Sequence, residues 1–134
     1  MVNILLFDTT ANRASSLSRN HVTNLLRNQM GYQGLSFTDA LEMQGVKKFF
    51  PDGEASAQSL IAGNDMLCLP GDIDNSIKKV LQAVADGKLS QKELDEKVYK
   101  VLISKFHLGL SKRPEPIKVE NITNDLNAAT LSIR

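Results

Sequence analysis

One aspartate stands where a predicted strand gives way to a loop, and this makes it the leading candidate for chemistry. Asp39 closes a short strand that is entered through the glycine turn of Gly31 and Gly34. Proteins built from alternating strands and helices hold catalytic side chains at the carboxyl ends of strands, because the loops converge there. Aspartate is also one of the best caps for a following helical turn, and spacing alone favours that second role for Asp39.

The other residue types that could do chemistry occur in settings typical of structural roles. His21 falls in the first turn of one predicted helix and His107 near the end of another, while Cys68 lies within a short apolar run and is expected to be a small core residue. No pair of His or Cys has the spacing of a metal site, and the glycine turn precedes a strand instead of following one, unlike a phosphate-binding loop. The sequence therefore predicts no metal and no cofactor.

Composition limits the size and the class of the protein. The chain has 134 residues, 42% of them hydrophobic, and a formal net charge of +1 with acids and bases interspersed, which argues for one domain or part of one and against a nucleic-acid partner. No apolar run approaches the roughly 20 residues of a transmembrane helix, and the first seven residues lack the features of a signal peptide. These observations leave the compartment unknown.

Hydrophobic spacing and capping residues predict strands and helices in alternation. The predicted strands are residues 2–7, 35–39 and 66–69, and the predicted helices are residues 18–30, a short one within 41–50, 54–62, 72–86 and 90–109. A long polar loop over residues 8–18 follows the first strand. This βαβαβαα order predicts parallel strands with helical crossovers, in an open sheet or in part of a closed barrel.

The last two predicted helices have the clearest local signals. Ser90 and Glu93 have the spacing of a capping box, and Asp72 or Asp74 is expected to begin the helix before it. The apolar residues predicted to face the core are Ile77, Val80, Leu81 and Val84 in one helix, and Leu94, Val98, Val101, Leu102 and Phe106 in the other.

The start of the sequence suggests part of a larger protein, and its end suggests a linker or tail. A buried strand at the first residues, without a preceding turn or cap, is an unusual start for a free-standing domain. Residues 111–134 contain Pro114 and Pro116 and are only weakly periodic, which is typical of a linker or an extended tail. We therefore expect residues 1–110 to be one structural portion and residues 111–134 a linker or tail.

A resemblance to a known family covers nearly all of the chain as far as residue 110. The residues that carry it are Leu17-Ser18, Leu25-Leu26-Arg27, the run from Gly31 to Val46, the run from Ala62 to Leu67, and Leu108-Gly109-Leu110. They resemble, in order and without large gaps, the C-terminal part of the catalytic barrel of glycoside hydrolase family three, in its bacterial β-N-acetylhexosaminidase and β-glucosidase branch. The parent protein, as a member of this branch, is expected in the bacterial cytoplasm or periplasm.

The resemblance implies a fold and a reaction. It implies an α/β fold, a partial (β/α)8 barrel of about two to three βα units, in which Asp39 is the nucleophile of a retaining glycosidase and Met43 and Ser16 are substrate-pocket residues. The substrate implied is a β-linked glycoside or N-acetylglucosaminide. In this branch the acid/base is a histidine on an earlier loop, which lies outside this chain, so the chain alone is expected to be inactive.

An alternative is a non-catalytic module. A complete barrel needs about 250 residues, so the strands of a shorter piece would leave edges and an apolar face uncovered. Such a barrel remnant would self-associate through those strand edges.

Overall fold

The computed structural model describes residues 7–8 and 13–112 of the chain. Residues 2–6 of the predicted strand and residues 113–134 of the predicted tail lie outside this part. The elements in order are β1 (Phe7–Asp8), β2 (Arg13–Ala14), a 3-10 turn (Ser15–Leu17), a π-helix (Asn20–Gln29), β3 (Phe37–Ala40), α1 (Gln44–Lys47), α2 (Glu54–Ala62), β4 (Met66–Cys68), α3 (Ile73–Ala85) and α4 (Gln91–His107).

The chain divides into two compact units, residues 1–104 and residues 105–134. All described strands belong to the first unit. In the second unit, α4 ends at His107 and Gly109 follows with a φ of 74°, as expected for a residue just beyond a helix end.

Two small sheets replace the uniformly parallel arrangement that the sequence predicts. β3 and β4 pair in parallel, as predicted for strands joined by a helical crossover. β1 instead pairs antiparallel with β2, which lies inside the segment predicted to be a polar loop. This prediction was wrong because Arg13 and Ala14 pair with Asp8 and Phe7 in a short antiparallel ladder.

The helix predicted over residues 18–30 forms, but its backbone is more widely wound than that of an α-helix. At its end the Met30 N–H donates to the Leu25 carbonyl, five residues back, at 2.9 Å. At its start the Ser18 hydroxyl accepts a hydrogen bond from the Asn20 N–H at 3.2 Å. Ser18 is fully buried and also donates to the Asp8 carboxylate, so the helix start is tied to β1.

The core consists of two apolar clusters that share one strand residue. Leu67 of β4 packs against a first cluster of Leu17, Leu41, Val46 and Ala55, and also against a second cluster. The second cluster contains Ala57, Leu60, Ala83 and Leu89. Helix α2 contributes to both clusters, which is why its short side chains are almost all buried.

Helices α2 and α3 approach closely because small residues face each other. The buried hydroxyl of Ser56 donates to that of Ser76 at 3.0 Å. Gly53, with a φ of 80°, caps the start of α2 and lies so near α3 that a Cβ there would be 2.7 Å from the Ser76 backbone nitrogen. The α2–α3 contact therefore depends on the absence of a side chain at Gly53.

Several residues predicted to face the core are exposed instead. Ile77 and Leu81 of α3 and Val98, Leu102 and Phe106 of α4 are all more than half exposed, and α4 has no buried residue. Cys68, expected to be a small core residue, is only half-buried, as are the other residues of β4. Apolar spacing identifies a face that needs a partner, and within the described residues these faces lack one.

We expect Gly53→Ala to lower the free energy of unfolding by about 2 kcal/mol or more, because the new methyl group meets backbone atoms of α3 and the positive φ disfavours any side chain. Urea denaturation measures the change. Gly45→Ala is the matched control, since a Cβ at Gly45 meets nothing within 4 Å. The control should unfold at the same or a higher urea concentration, and an equal loss in both variants would contradict this account.

Candidate active site

Asp39 lies at an irregularity in the pairing of β3 with β4. Phe37 is in register with Met66 and Ala40 with Cys68, so two residues of β3, Thr38 and Asp39, stand opposite one residue of β4. An extra residue of this kind is a β-bulge, which bends the strand and redirects a side chain. Bulges are frequent beside active sites, and this one lies at the carboxyl end of β3.

The two side chains at the bulge have opposite environments. Thr38 is buried, and its hydroxyl oxygen accepts a hydrogen bond from the Cys68 N–H at 2.9 Å, which holds the strands together. The Asp39 side chain is exposed, and its Oδ1 accepts a hydrogen bond from the adjacent Ala40 N–H at 2.8 Å. Over residues 13–112 it has no ion-pair partner within 4 Å.

Asp39 does not cap the following helix. α1 begins at Gln44, Met43 occupies the capping position, and no side chain makes a capping hydrogen bond there. The capping role that spacing favours for Asp39 is therefore absent from the structure. What remains is an exposed carboxylate on a strand end, whose one hydrogen bond within the described part of the chain is to its own neighbour.

The other two predicted site residues, Met43 and Ser16, lie in different parts of the fold. Met43 follows Asp39 in the same connection, and its side chain is partly exposed. Ser16 is half-buried in the 3-10 turn, and its carbonyl accepts a hydrogen bond at 2.7 Å from Asn64, just before the amino end of β4. No hydrogen bond joins either residue to Asp39 within the described residues, and their substrate-binding roles stay predictions.

Sequence reasoning missed a strained residue directly after β4. Leu69 follows β4 with a φ of 41°, although it is not glycine and precedes Pro70, which favours an extended backbone. Its carbonyl accepts the Glu42 N–H at 3.1 Å, so it joins the β3–α1 connection to the end of β4. The sequence signal that could have drawn attention to it is the Pro70-Gly71 pair directly after a strand.

The comparisons with known proteins agree with this arrangement of strands and helices. Residues 1–103 match the model of the glycosyl hydrolase family 3 N-terminal domain. The chain belongs to glycosyl hydrolase family 3. The match covers every described strand and most of the described helices.

Individual family 3 members show how much of such a protein the chain represents. Beta-hexosaminidase A of Pseudoalteromonas piscicida is 32% identical over 120 residues, which are 83% of this chain and 20% of that protein. The solved structure of a family 3 beta-N-acetylglucosaminidase from Paenibacillus sp. str. FPU-7 matches with a TM-score of 0.73 and 28% identity, over 81% of this chain and 21% of that one. A solved beta-glucoside phosphorylase matches with a TM-score of 0.75 and 28% identity, over 87% and 21%. The chain thus spans about a fifth of the length of these relatives and has their α/β barrel-type fold.

A second aspartate, Asp65, has a well-defined environment in the structure, although sequence reasoning did not identify it. The Asp65 side chain is only 1% exposed and lies just before β4. Its Oδ2 accepts hydrogen bonds from the Ser36 N–H at 2.9 Å and from the Arg27 guanidinium, and Lys100 Nζ lies 3.4 Å from Oδ1. This carboxylate is structural, because every group that it binds belongs to the packing of β3, the π-helix and α4.

Arg27 extends the same network to the chain that enters β3. One guanidinium nitrogen donates to the carbonyls of Tyr32 and Gly34 at 3.2 and 2.5 Å, and the other to the Ser36 hydroxyl at 2.8 Å. The guanidinium also lies over the Tyr32 ring at 5.3 Å. An arginine can do this because its fork of donors serves several acceptors in fixed directions.

Two opposing effects determine the pKa of Asp65. Burial disfavours its charge and raises the pKa, but the Ser36 backbone hydrogen bond and the positive charges of Arg27 and Lys100 outweigh burial, so the pKa is lowered. The carboxylate is therefore ionised at neutral pH.

The described residues contain no group of three or more His, Cys, Asp or Glu side chains that could hold a metal ion. Across the same part of the chain, no helix is both long and apolar enough to cross a bilayer.

We expect Asp65→Asn to cost about 3 kcal/mol of unfolding free energy at pH 7, because Arg27 and Lys100 lose their partner at a buried position. Since the folded-state pKa is depressed, the carboxylate contributes its full stability above about pH 4 and loses it as the pH falls through the folded pKa. Urea denaturation of both proteins from pH 7 to pH 3 should show stabilities that converge only below about pH 4. Asp86→Asn, which removes an exposed carboxylate beside Lys88, is the control and should change stability little. A constant difference across the whole pH range would contradict the ionic role of Asp65.

Proposed function

We propose that the chain is the nucleophile-bearing part of a retaining glycoside hydrolase of the β-N-acetylglucosaminidase or β-glucosidase type. Residues 1–110 would form the last two to three βα units of its barrel and residues 111–134 a linker or tail. The observation that carries the proposal is Asp39, an exposed carboxylate on a bulge at a strand's carboxyl end, within the stretch that matches the family. Catalytic residues of barrel enzymes occupy such strand ends.

The proposed role of Asp39 is to attack the anomeric carbon and form a glycosyl-enzyme intermediate, which water then hydrolyses. The parallel strand fixes the carboxylate, and the bulge directs it away from the core side on which Thr38 is buried. Exposed Phe37, two residues earlier on the same strand, would supply apolar surface beside the sugar. The substrate would be a β-linked glucoside or N-acetylglucosaminide, as the names of the relatives suggest.

A retaining mechanism needs a second group about 5 Å from the nucleophile to protonate the leaving oxygen and later to activate water. Within the described residues no histidine or second carboxylate hydrogen-bonds to Asp39. The resemblance assigns the acid/base to a loop outside this chain. We therefore propose that the 134 residues alone have negligible glycosidase activity, because most of the transition-state stabilisation is missing.

Two assays test this proposal. The purified chain, given an aryl N-acetylglucosaminide or an aryl glucoside with and without inorganic phosphate, should show no more turnover than its Asp39→Asn variant. A chimera in which residues 1–110 replace the matching segment of Pseudoalteromonas beta-hexosaminidase A should be active. In the chimera Asp39→Asn should lower kcat by on the order of a thousandfold, because the covalent route is lost.

Folding is the control in both assays. Asp39→Asn should leave the unfolding free energy within about 0.5 kcal/mol of the parent value, because its side chain is exposed and bonded only to its neighbour. Turnover by the isolated chain that Asp39→Asn abolishes would contradict the inactivity. An active chimera that tolerates Asp39→Asn would contradict the nucleophile assignment.

A second candidate function rests on the exposed face of β3. Phe37 is 56% exposed on a strand that, within the described residues, has β4 as its one neighbour. An apolar strand with an open edge is a template for pairing with another chain. The protein would then act as a self-associating module, with or without the rest of a barrel.

Sedimentation measurements at increasing concentration would detect this association. We expect Phe37→Asp to shift the equilibrium towards the monomer, because a charge would be buried at the contact. Phe49→Asp is the matched control, since Phe49 is 53% exposed but lies outside the strands. A parent protein that stays monomeric, or two variants that behave alike, would eliminate this candidate.

A further inference from the structure

The bulge in β3 shifts the pairing between β3 and β4 by one residue. Phe37 pairs with Met66. Two residues further along each strand, an unbroken parallel ladder would pair Asp39 with Cys68. Cys68 pairs with Ala40 instead. Asp39 is therefore released from a paired position at the carboxyl end of its strand.

The shifted register gives the Ala40 N–H a different acceptor. The Cys68 carbonyl accepts the N–H of Leu41, the residue after its partner, at 3.1 Å. In an unbroken ladder that carbonyl would accept the N–H of Ala40. The Ala40 N–H donates instead to Asp39 Oδ1 at 2.8 Å. The bulge thus supplies the candidate nucleophile with its one hydrogen bond among the described residues.

The Thr38 hydroxyl bonds the neighbouring strand at the same place. It accepts the Cys68 N–H at 2.9 Å, and the Thr38 residue is only 4% exposed. A β-branched side chain has few χ1 rotamers, so this hydrogen bond also fixes the direction of the side chain. Because successive side chains of a strand point to opposite faces, a Thr38 side chain held inside keeps that of Asp39 outside.

The single hydrogen bond of Asp39 leaves one of its two oxygens available. Oδ1 is bound by the Ala40 N–H, whereas Oδ2 accepts no hydrogen bond within residues 7–8 and 13–112. Attack on an anomeric carbon uses one carboxylate oxygen and requires it in a fixed direction. A backbone donor on the next residue gives the carboxylate that direction without occupying Oδ2.

We propose that Thr38 is a positioning residue for Asp39. Its hydroxyl holds the Cys68 N–H in the shifted register, the register releases the Ala40 N–H, and that N–H orients the carboxylate with Oδ2 free for the sugar. The inference rests on the proposed function, in which Asp39 is the nucleophile. Thr38 itself takes no part in the bond changes.

A threonine that served stability alone would behave differently from a positioning residue. Thr38→Val keeps the shape of the side chain and removes the acceptor for the Cys68 N–H. If the role is positioning, this change alters the orientation of the Asp39 carboxylate and the rate of the chemical step. If the role is stability alone, the protein melts earlier but the folded molecules keep the parent orientation and rate.

Amide NMR signals of the 134-residue chain measure the orientation of the carboxylate directly. In Thr38→Val we expect the Cys68 amide to exchange with solvent about tenfold faster or more, and the Ala40 amide proton to lose the downfield shift that a bonded carboxylate gives. Thr38→Ser, which keeps the hydroxyl, should retain both parent signals. Thr38→Ala is the second variant and should behave as Thr38→Val, so a packing defect of valine leaves the test intact.

Thr23→Val is the matched control for the same amides. The Thr23 hydroxyl donates to the Ala62 carbonyl at 2.7 Å, away from the bulge, so the control also loses one hydrogen bond from a threonine to the backbone. It should leave the signals of Ala40 and Cys68 unchanged. Parent-like signals of both amides in Thr38→Val and Thr38→Ala would overturn the positioning role.

Turnover by the chimera with Pseudoalteromonas beta-hexosaminidase A tests the consequence for the reaction. Thr38→Val should lower kcat about tenfold or more and leave KM within about twofold, while Thr38→Ser and Thr23→Val keep the parent kcat. A parent-like kcat in Thr38→Val beside a large loss in Asp39→Asn would overturn the positioning role and leave the nucleophile assignment intact. Full activity of Asp39→Asn would instead overturn the proposed function.

Discussion

The buried carboxylate of Asp65 is the interaction on which the rest of the described structure depends. It lies where the loop from α2 enters β4, and it binds the N–H that leads into β3, the guanidinium of Arg27 and the ammonium of Lys100. A buried carboxylate without such partners would be costly, whereas a fully bonded one fixes the relative positions of everything that it touches. The Asp65 carboxylate therefore fixes β3, β4, the π-helix and α4 relative to one another at the amino end of the small parallel sheet.

Because Asp65 fixes the amino ends of β3 and β4, their carboxyl ends are constrained as well. Because β3 and β4 start together, the extra residue in β3 must be accommodated before Ala40, and the bulge places Thr38 and Asp39 opposite one residue of β4. Thr38 turns into the structure and bonds the β4 backbone, while Asp39 is exposed. The position of the proposed nucleophile thus follows from a charge network at the other end of its strand, to which Asp39 contributes nothing.

Local sequence signals predicted the parts of the fold that local interactions determine. The Ser90–Glu93 cap, the Asp72 cap and the full extent of α2 are confirmed, because each depends on residues within a few positions. The Asp65 network joins residues separated by 29 to 38 positions, so no spacing rule could reveal it. Of the apolar stripes predicted for α3 and α4, Val80, Val84 and Leu94 do pack against the second cluster. The burial of the exposed members was predicted wrongly because amphipathic spacing does not say which surface covers a face.

The two ends of the β3–β4 pair differ in a way that argues for function at one and stability at the other. At the amino end, two cations and a backbone N–H bind the buried charge of Asp65. Removing any of these partners is expected to lower the stability of the fold. At the carboxyl end, Asp39 bonds only Ala40 among the described residues, and Leu69, which follows β4, is held at a positive φ. A folded chain gains nothing in stability from an unused carboxylate or a strained leucine, and such features persist where the surrounding structure over-determines them. The absence of a capping role for Asp39 therefore strengthens the catalytic interpretation, because it removes the structural reason for an aspartate at that strand end.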